Sequence, residues 1–126
     1  MQRWIAGILA ALNFANGLAM LFAGSFWWTS VPGAPDTGPF NPHFVQDVGA
    51  AFLVAGLALG ARAWRVNYWP AALAGAGFLA LHALLHLGMI ASQHDHHTAA
   101  DLALIVVPAV LALYSAFPNK GDRRHA

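Results

Sequence analysis

The sequence predicts an all-α integral membrane protein, a four-helix bundle of up-down topology with its N- and C-termini cytoplasmic. Three observations predict it. First, 59% of the 126 residues are hydrophobic and only 9% are charged, against roughly 25% charged residues in ordinary soluble domains. A soluble chain this short has too much surface for its volume to bury so much apolar area. Second, four apolar stretches each approach the ~20 helical residues that a hydrocarbon core requires. Third, every Lys and Arg falls on one side of the alternation those four stretches impose. One domain is the expectation for this length.

The four spans are expected over residues 4–26, 44–63, 70–91 and 99–117. All are rich in Ala, Leu and Gly without the alternation of a β-barrel, so helices are the spanning form. The first begins at Trp4 behind Arg3. A signal peptide is the competing reading, but the run is long for an h-region and contains Asn13 and Asn16. Between the first and second spans, VPGAPDTGPFNP (Val31 to Pro42) carries four prolines that forbid a continuous helix. Gly56 and Gly60 in the second span, and Ala71 and Gly75 in the third, form small-xxx-small faces suited to close packing within the bundle. Pro108 is expected to kink the fourth span near its middle. Trp4, Trp27, Trp28, Trp64, Tyr68, Trp69 and Tyr114 fall near the expected interfaces, the depth that amphipathic rings prefer.

Orientation follows from the basic residues. Arg3 precedes the first span, Arg62 and Arg65 lie between the second and third, and Lys120, Arg123 and Arg124 follow the fourth. The positive-inside rule therefore places both ends and the short middle loop on the cytoplasmic side. The lipid bilayer is the first partner implied; a membrane-protein partner or a further copy of the chain is the second, and nucleic acid is not expected. The absence of cysteine excludes disulfides, thiolate metal sites and thiol redox chemistry.

The ionisable residues carry the functional expectation. Apart from His125, every histidine falls in the outer half or outer loops: His43, His82, His86, His94, His96 and His97. Asp47 and Asp101 lie just inside the outer ends of the second and fourth spans. His43 and Asp47, His82 and His86, and His97 and Asp101 are each four apart, hence on one helix face a turn apart. At 1.5 Å rise per residue, Asp47, His86 and Asp101 all come to roughly 24 Å above the cytoplasmic ends. Asn13 and Asn16, with Met20 a turn further on, form a fourth polar stripe, and Met89 extends the face of His82 and His86.

Three pairs at one depth predict a single cluster able to hold a transition-metal ion such as zinc, copper or iron, with His43, Asp47, His82, His86, His97 and Asp101 as ligands. The HDHH run, residues 94–97, is expected to capture ions for it. Taken singly, each pair has a plainer reading: a hydrogen-bonded histidine, a carboxylate favoured by a helix N-terminus, or a solvated loop. A hydrogen-bonded polar plug or a proton-titrating site is the competing reading of the whole. Haem held between His43 and His86 is a further alternative, as is an accessory subunit of a larger membrane complex. Metal binding would make the chain a carrier, a sensor or a metal-dependent membrane enzyme.

The segment TGPFNPHFVQDVGAAFL, Thr37 to Leu53, and AALNFANG, Ala10 to Gly17, resemble a group of small bacterial four-helix inner-membrane proteins broadly similar to the DoxX-like superfamily. The resemblance implies the same four-span topology, with the chain in a bacterial inner membrane, and draws attention to Asn41, His43 and Asp47. The larger superfamily includes proteins proposed to work with quinones or redox partners, which implies a redox-linked role by analogy of fold alone.

Overall fold

The computed structural model describes residues 1–92 and 97–119. Four helices among these are long and apolar enough to cross a membrane. They are α1 (Gln2–Phe22), α3 (Pro42–Trp64), α4 (Trp69–Ala91) and α5 (Thr98–Ala116), with a short α2 (Gly24–Ser30) after the first. No strand occurs among the described residues. Helix α1 packs against α3, α3 against α4, α4 against α5, and α5 closes the ring against α1.

The helix boundaries have local causes. The first expected span, 4–26, is in fact two helices, because Ala23 (φ −134°, ψ 38°) leaves helical geometry between them. The NPHF segment is a helix start. Asn41 accepts from the Phe44 amide at 3.2 Å as the N-cap, and Pro42 takes the first turn, where its missing N–H is no loss. Pro70 does the same for α4. Before α3, the proline-rich segment forms a 3₁₀ turn, Ala34–Thr37, entered through Gly33 at φ +83°. That left-handed value suits a residue without a Cβ.

Helix α5 is not uniform. Residues Leu102–Val106 form a π-helical segment directly before Val107–Ala116. Pro108, second in that last segment, cannot donate to the preceding turn, and the wider π turn is where the helix absorbs this. The irregularity expected at Pro108 thus lies one turn earlier, beside Asp101.

Packing relies on small residues, as it must where lipid removes the hydrophobic drive between helices. A Cβ added at Gly17 would meet the Gly49 carbonyl at 2.7 Å, and one at Gly49 would meet the Met20 Cβ at 2.7 Å. Gly56 meets the backbone of Phe14 and Ala10, and Gly75 that of Ala55, at 3.0–3.1 Å. The expected faces are therefore half right. Gly56 and Gly75 are at close approaches, Gly60 makes only ordinary contact with Ala10, and Ala71 is exposed. The core runs through Leu9, Ala55, Leu59, Ala76, Leu79 and Ala112, while Val54, Leu57, Leu81, Leu84, Leu85 and Leu104 face outward. A second small cluster of Met20, Trp28 and Val45 seats α2. Asn16 helps hold it there, accepting from the Trp27 indole N–H at 2.8 Å.

The two ends of the bundle differ chemically. At one, Arg62 is 1% exposed and donates to the Ser115 and Val66 carbonyls and to Gln2 Oε1 at 3.3, 3.2 and 3.4 Å. Gln2 in turn donates to the Tyr114 carbonyl at 2.8 Å. Arg3 donates to the Ala63 and Trp64 carbonyls at 2.9 and 2.7 Å. The cations thus satisfy carbonyls at the C-terminal ends of α3 and α5, where the helix dipole is negative. The described histidines and aspartates gather toward the other end.

Candidate functional site

The histidine end is organised by a different set of pairs from the one spacing alone predicts. Asp101, in the first turn of α5, is buried, and its carboxylate Oδ2 is in direct hydrogen-bond contact with His86 Nδ1 on α4. The side chains of His86 and Asp101 are 22% and 8% exposed. A titratable pair so shielded, at a depth four apolar helices would place inside a membrane, must neutralise itself locally. The contact also joins two helices. Proton transfer within the pair changes its internal charge distribution but not its net charge.

His82 stands one turn from His86 along α4, as expected, with ring centroids 4.8 Å apart and planes inclined by 70°. Its other neighbours are aromatic. Phe52 of α3 meets it edge-on at 5.6 Å, and Phe78, one turn further along α4, lies nearly parallel at 6.2 Å. Phe52 and Phe78 also pack edge-to-face at 5.3 Å. Aromatic groups therefore close the polar site toward the interior. Beyond them the bundle is filled by Leu79, Ala76 and Ala72.

The expected pairing of His97 with Asp101 is not formed. His97 is the N-cap of α5, where its carbonyl accepts from the amides of Ala100 and Asp101 at 2.8 and 3.0 Å. Its backbone (φ −123°, ψ 29°) is not helical, so the four-residue register with Asp101 does not apply to its side chain. The His97 side chain turns instead to the proline-rich segment, where Nε2 lies 3.1 Å from Asp36 Oδ2. Its ring also lies over Gly33, so that a Cβ there would meet Cδ2 at 3.5 Å.

His43 and Asp47 do pair, Nδ1 to Oδ2 at 2.9 Å, but their side chains are 85% and 69% exposed. They lie on the outer surface of α3 and do not join the interior site. The six expected ligands thus divide into three places: an exposed pair on α3, a latch from the loop to α5, and the half-buried His82 and His86 with the buried Asp101. Among the described residues no three His, Asp or Glu side chains converge in a way that could hold a metal ion. The donor set therefore does not fit the single metal cluster. The proposed haem ligand His43 is likewise engaged at the surface with Asp47. His94 and His96 of the HDHH run lie outside the described residues.

The remaining polar stripe is structural. Asn13 donates to the Leu9 carbonyl at 2.7 Å, and Asn16 is occupied by Trp27, with Met20 Sδ 3.7 Å from its Nδ2. Met20 is buried with Trp28 and Val45, and Met89 is exposed. Among the described residues no buried side-chain polar atom lacks a partner. Sequence reasoning missed Asp36, Phe52 and Phe78. Phe78 was within reach of the four-residue rule, being four before His82, whereas Phe52 and Asp36 arrive from other elements.

In comparisons with known proteins, no family model, no curated protein and no solved structure matches the chain. The resemblance over Thr37 to Leu53 gains no support from them. Its most distinctive residues are explained locally, Asn41 and Pro42 by starting α3 and His43 with Asp47 by their surface pair.

Proposed function

We propose that this chain is a multi-pass protein of a bacterial inner membrane, with both ends cytoplasmic, that responds to protons from the outer side. The responsive group is the His86–Asp101 pair. The single observation that carries this reading is a buried carboxylate held by a histidine of the neighbouring helix, immediately before a π-helical turn. A one-proton pair is neutral overall whether written as imidazole and carboxylic acid or as imidazolium and carboxylate. Gain or loss of a proton leaves one net charge in a poorly polarisable setting, which disfavours the closed packing of α4 on α5. The π segment supplies a backbone able to yield, since such turns interrupt helical hydrogen bonding and recur at functional positions.

The site fits a proton-responsive element better than a conduit. The polar chain ends at His82, where Phe52, Phe78 and Leu79 close it off. Protons therefore enter and leave by the same end, and the result is a change in the outer half of α5. Such a protein acts as a sensor or as a proton-responsive subunit of a larger membrane assembly.

Hydrogen exchange of the α5 amides tests this reading. Protection factors over Thr98–Val106, which divide out the intrinsic pH dependence of amide exchange, should fall when the pH is moved from about 8 to about 5, the range in which histidines change charge. In Asp101→Asn they should be independent of pH. Equal protection factors at both pH values in the wild-type protein would refute the coupling.

A further inference from the structure

The opposite end of the bundle carries a second site, unrelated to the histidines. A cavity of about 520 Å³ opens there, lined by Gln2, Arg3, Trp4, Gly7 and Arg62 among others. Its size is that of a small-molecule site. We propose that it binds the phosphate of an anionic phospholipid, with Arg3 as the principal contact.

Arg3 is exposed, yet its guanidinium is fixed. Nε and Nη2 donate to the Ala63 and Trp64 carbonyls at 2.9 and 2.7 Å. A guanidinium has five N–H groups, so these two bonds leave three donors to offer. Held in place by α3, that planar fork is ready for a phosphate without first losing its own freedom. Arg62 lines the same cavity and adds its charge while anchored to the Ser115 and Val66 carbonyls. Two arginines, Arg3 and Arg62, thus line the cavity, and no aspartate among the described residues is in its lining.

Its walls favour a lipid over a soluble anion. Trp4 is 80% exposed at the rim and Trp64 is 65% exposed beside it, rings of the kind that settle among headgroups. Gly7 lies against Ala63, where an added Cβ would touch the Ala63 Cβ at 3.5 Å. Both small residues line the cavity between α1 and α3, giving it an apolar floor beside the arginines, suited to the glycerol of a lipid. Juxtamembrane basic residues attract acidic lipids in just this manner.

Native mass spectrometry of the full chain in neutral detergent, titrated with phosphatidylglycerol, tests the site. Wild type should retain one phosphatidylglycerol, and Arg3→Gln should weaken retention roughly fivefold, the factor for one basic residue at an acidic surface. Arg65→Gln removes the same charge outside the cavity lining and should bind as wild type does. Phosphatidylglycerol should also raise the melting temperature of the wild-type protein where phosphatidylcholine does not, a readout that needs no variant. Equal retention of phosphatidylcholine, equal losses in the two variants, or no loss in Arg3→Gln would overturn the proposal. Displacement of the lipid by ~10 mM inorganic phosphate would assign the cavity to a soluble anion instead and would also overturn it.

Discussion

Replacing Arg62 by Met keeps most of the side chain's volume and removes its charge and donors. The guanidinium makes hydrogen bonds to Ser115, Val66 and Gln2 at 3.2–3.4 Å, toward or beyond the long end of the N–H···O range. Charged hydrogen bonds in proteins are worth ~1.5–3 kcal/mol. Polar contacts within membrane bundles average nearer 0.6 kcal/mol, because the unfolded chain in lipid also finds partners. The lengths here favour the lower figure, and three such contacts come to about 2 kcal/mol. The loss should appear in equilibrium unfolding in mixed micelles, followed by tryptophan fluorescence and circular dichroism. Because Gln2 bridges Arg62 to Tyr114, a double-mutant cycle with Gln2→Ala should return a coupling of about 0.6 kcal/mol. A destabilisation below about 0.5 kcal/mol, or strict additivity with Gln2→Ala, would refute the view that this buried arginine ties α1, α3 and α5 together.

Three further outcomes are expected. Gly49→Val would drive a side chain into Met20 and the Gly17 carbonyl and should cost about 1–3 kcal/mol in the same unfolding assay, with no effect meaning that α1 and α3 do not approach so closely. His97→Ala should cost less than ~1 kcal/mol because its pair with Asp36 is largely exposed, and the difference from wild type should vanish in about 1 M salt; a larger, salt-independent loss would contradict a surface latch. Elemental analysis after loading with zinc or copper should show far less than one ion per chain bound by the described histidines; a stoichiometric ion lost in His86→Ala would restore the metal reading.

What the sequence revealed and what it concealed divide along physical lines. The four apolar helices were legible because lipid demands about 20 apolar residues at a stretch, and that pattern is written along the chain. Ends were legible to a residue or two where a cap or proline marks them, as at Asn41, Pro42 and Pro70. Ala23 carries no such signal, and its break was missed. Within one helix, the four-residue rule found His43 with Asp47 and His82 with His86. It failed for His97 and Asp101, since the helix begins between them. Pairings between elements, His86 with Asp101 and His97 with Asp36, depend on how the helices are rotated, which spacing does not encode. The exposed position of His43 has the same origin. Arg62 read as a loop cation from its position in the chain. Its place three after Leu59 and seven after Ala55, on the buried face of α3, was the available clue.

The two ends of the molecule differ. Arginines at one end fasten helix termini, and Arg3 lines a cavity there. At the other, a buried acid and a half-buried base join α4 to the irregular start of α5. The small-residue core of α1, α3 and α4 lies between them.

The most direct measurement of the central claim is a nitrogen-15 NMR spectrum of the His86 imidazole in lipid nanodiscs, in wild type and in Asp101→Asn. In wild type, the Nδ1 resonance should carry the signature of a proton shared with a carboxylate. In Asp101→Asn that signature should be gone while the His82 resonances persist. A His86 signal that is the same in both proteins would contradict a proton-sharing pair at this site.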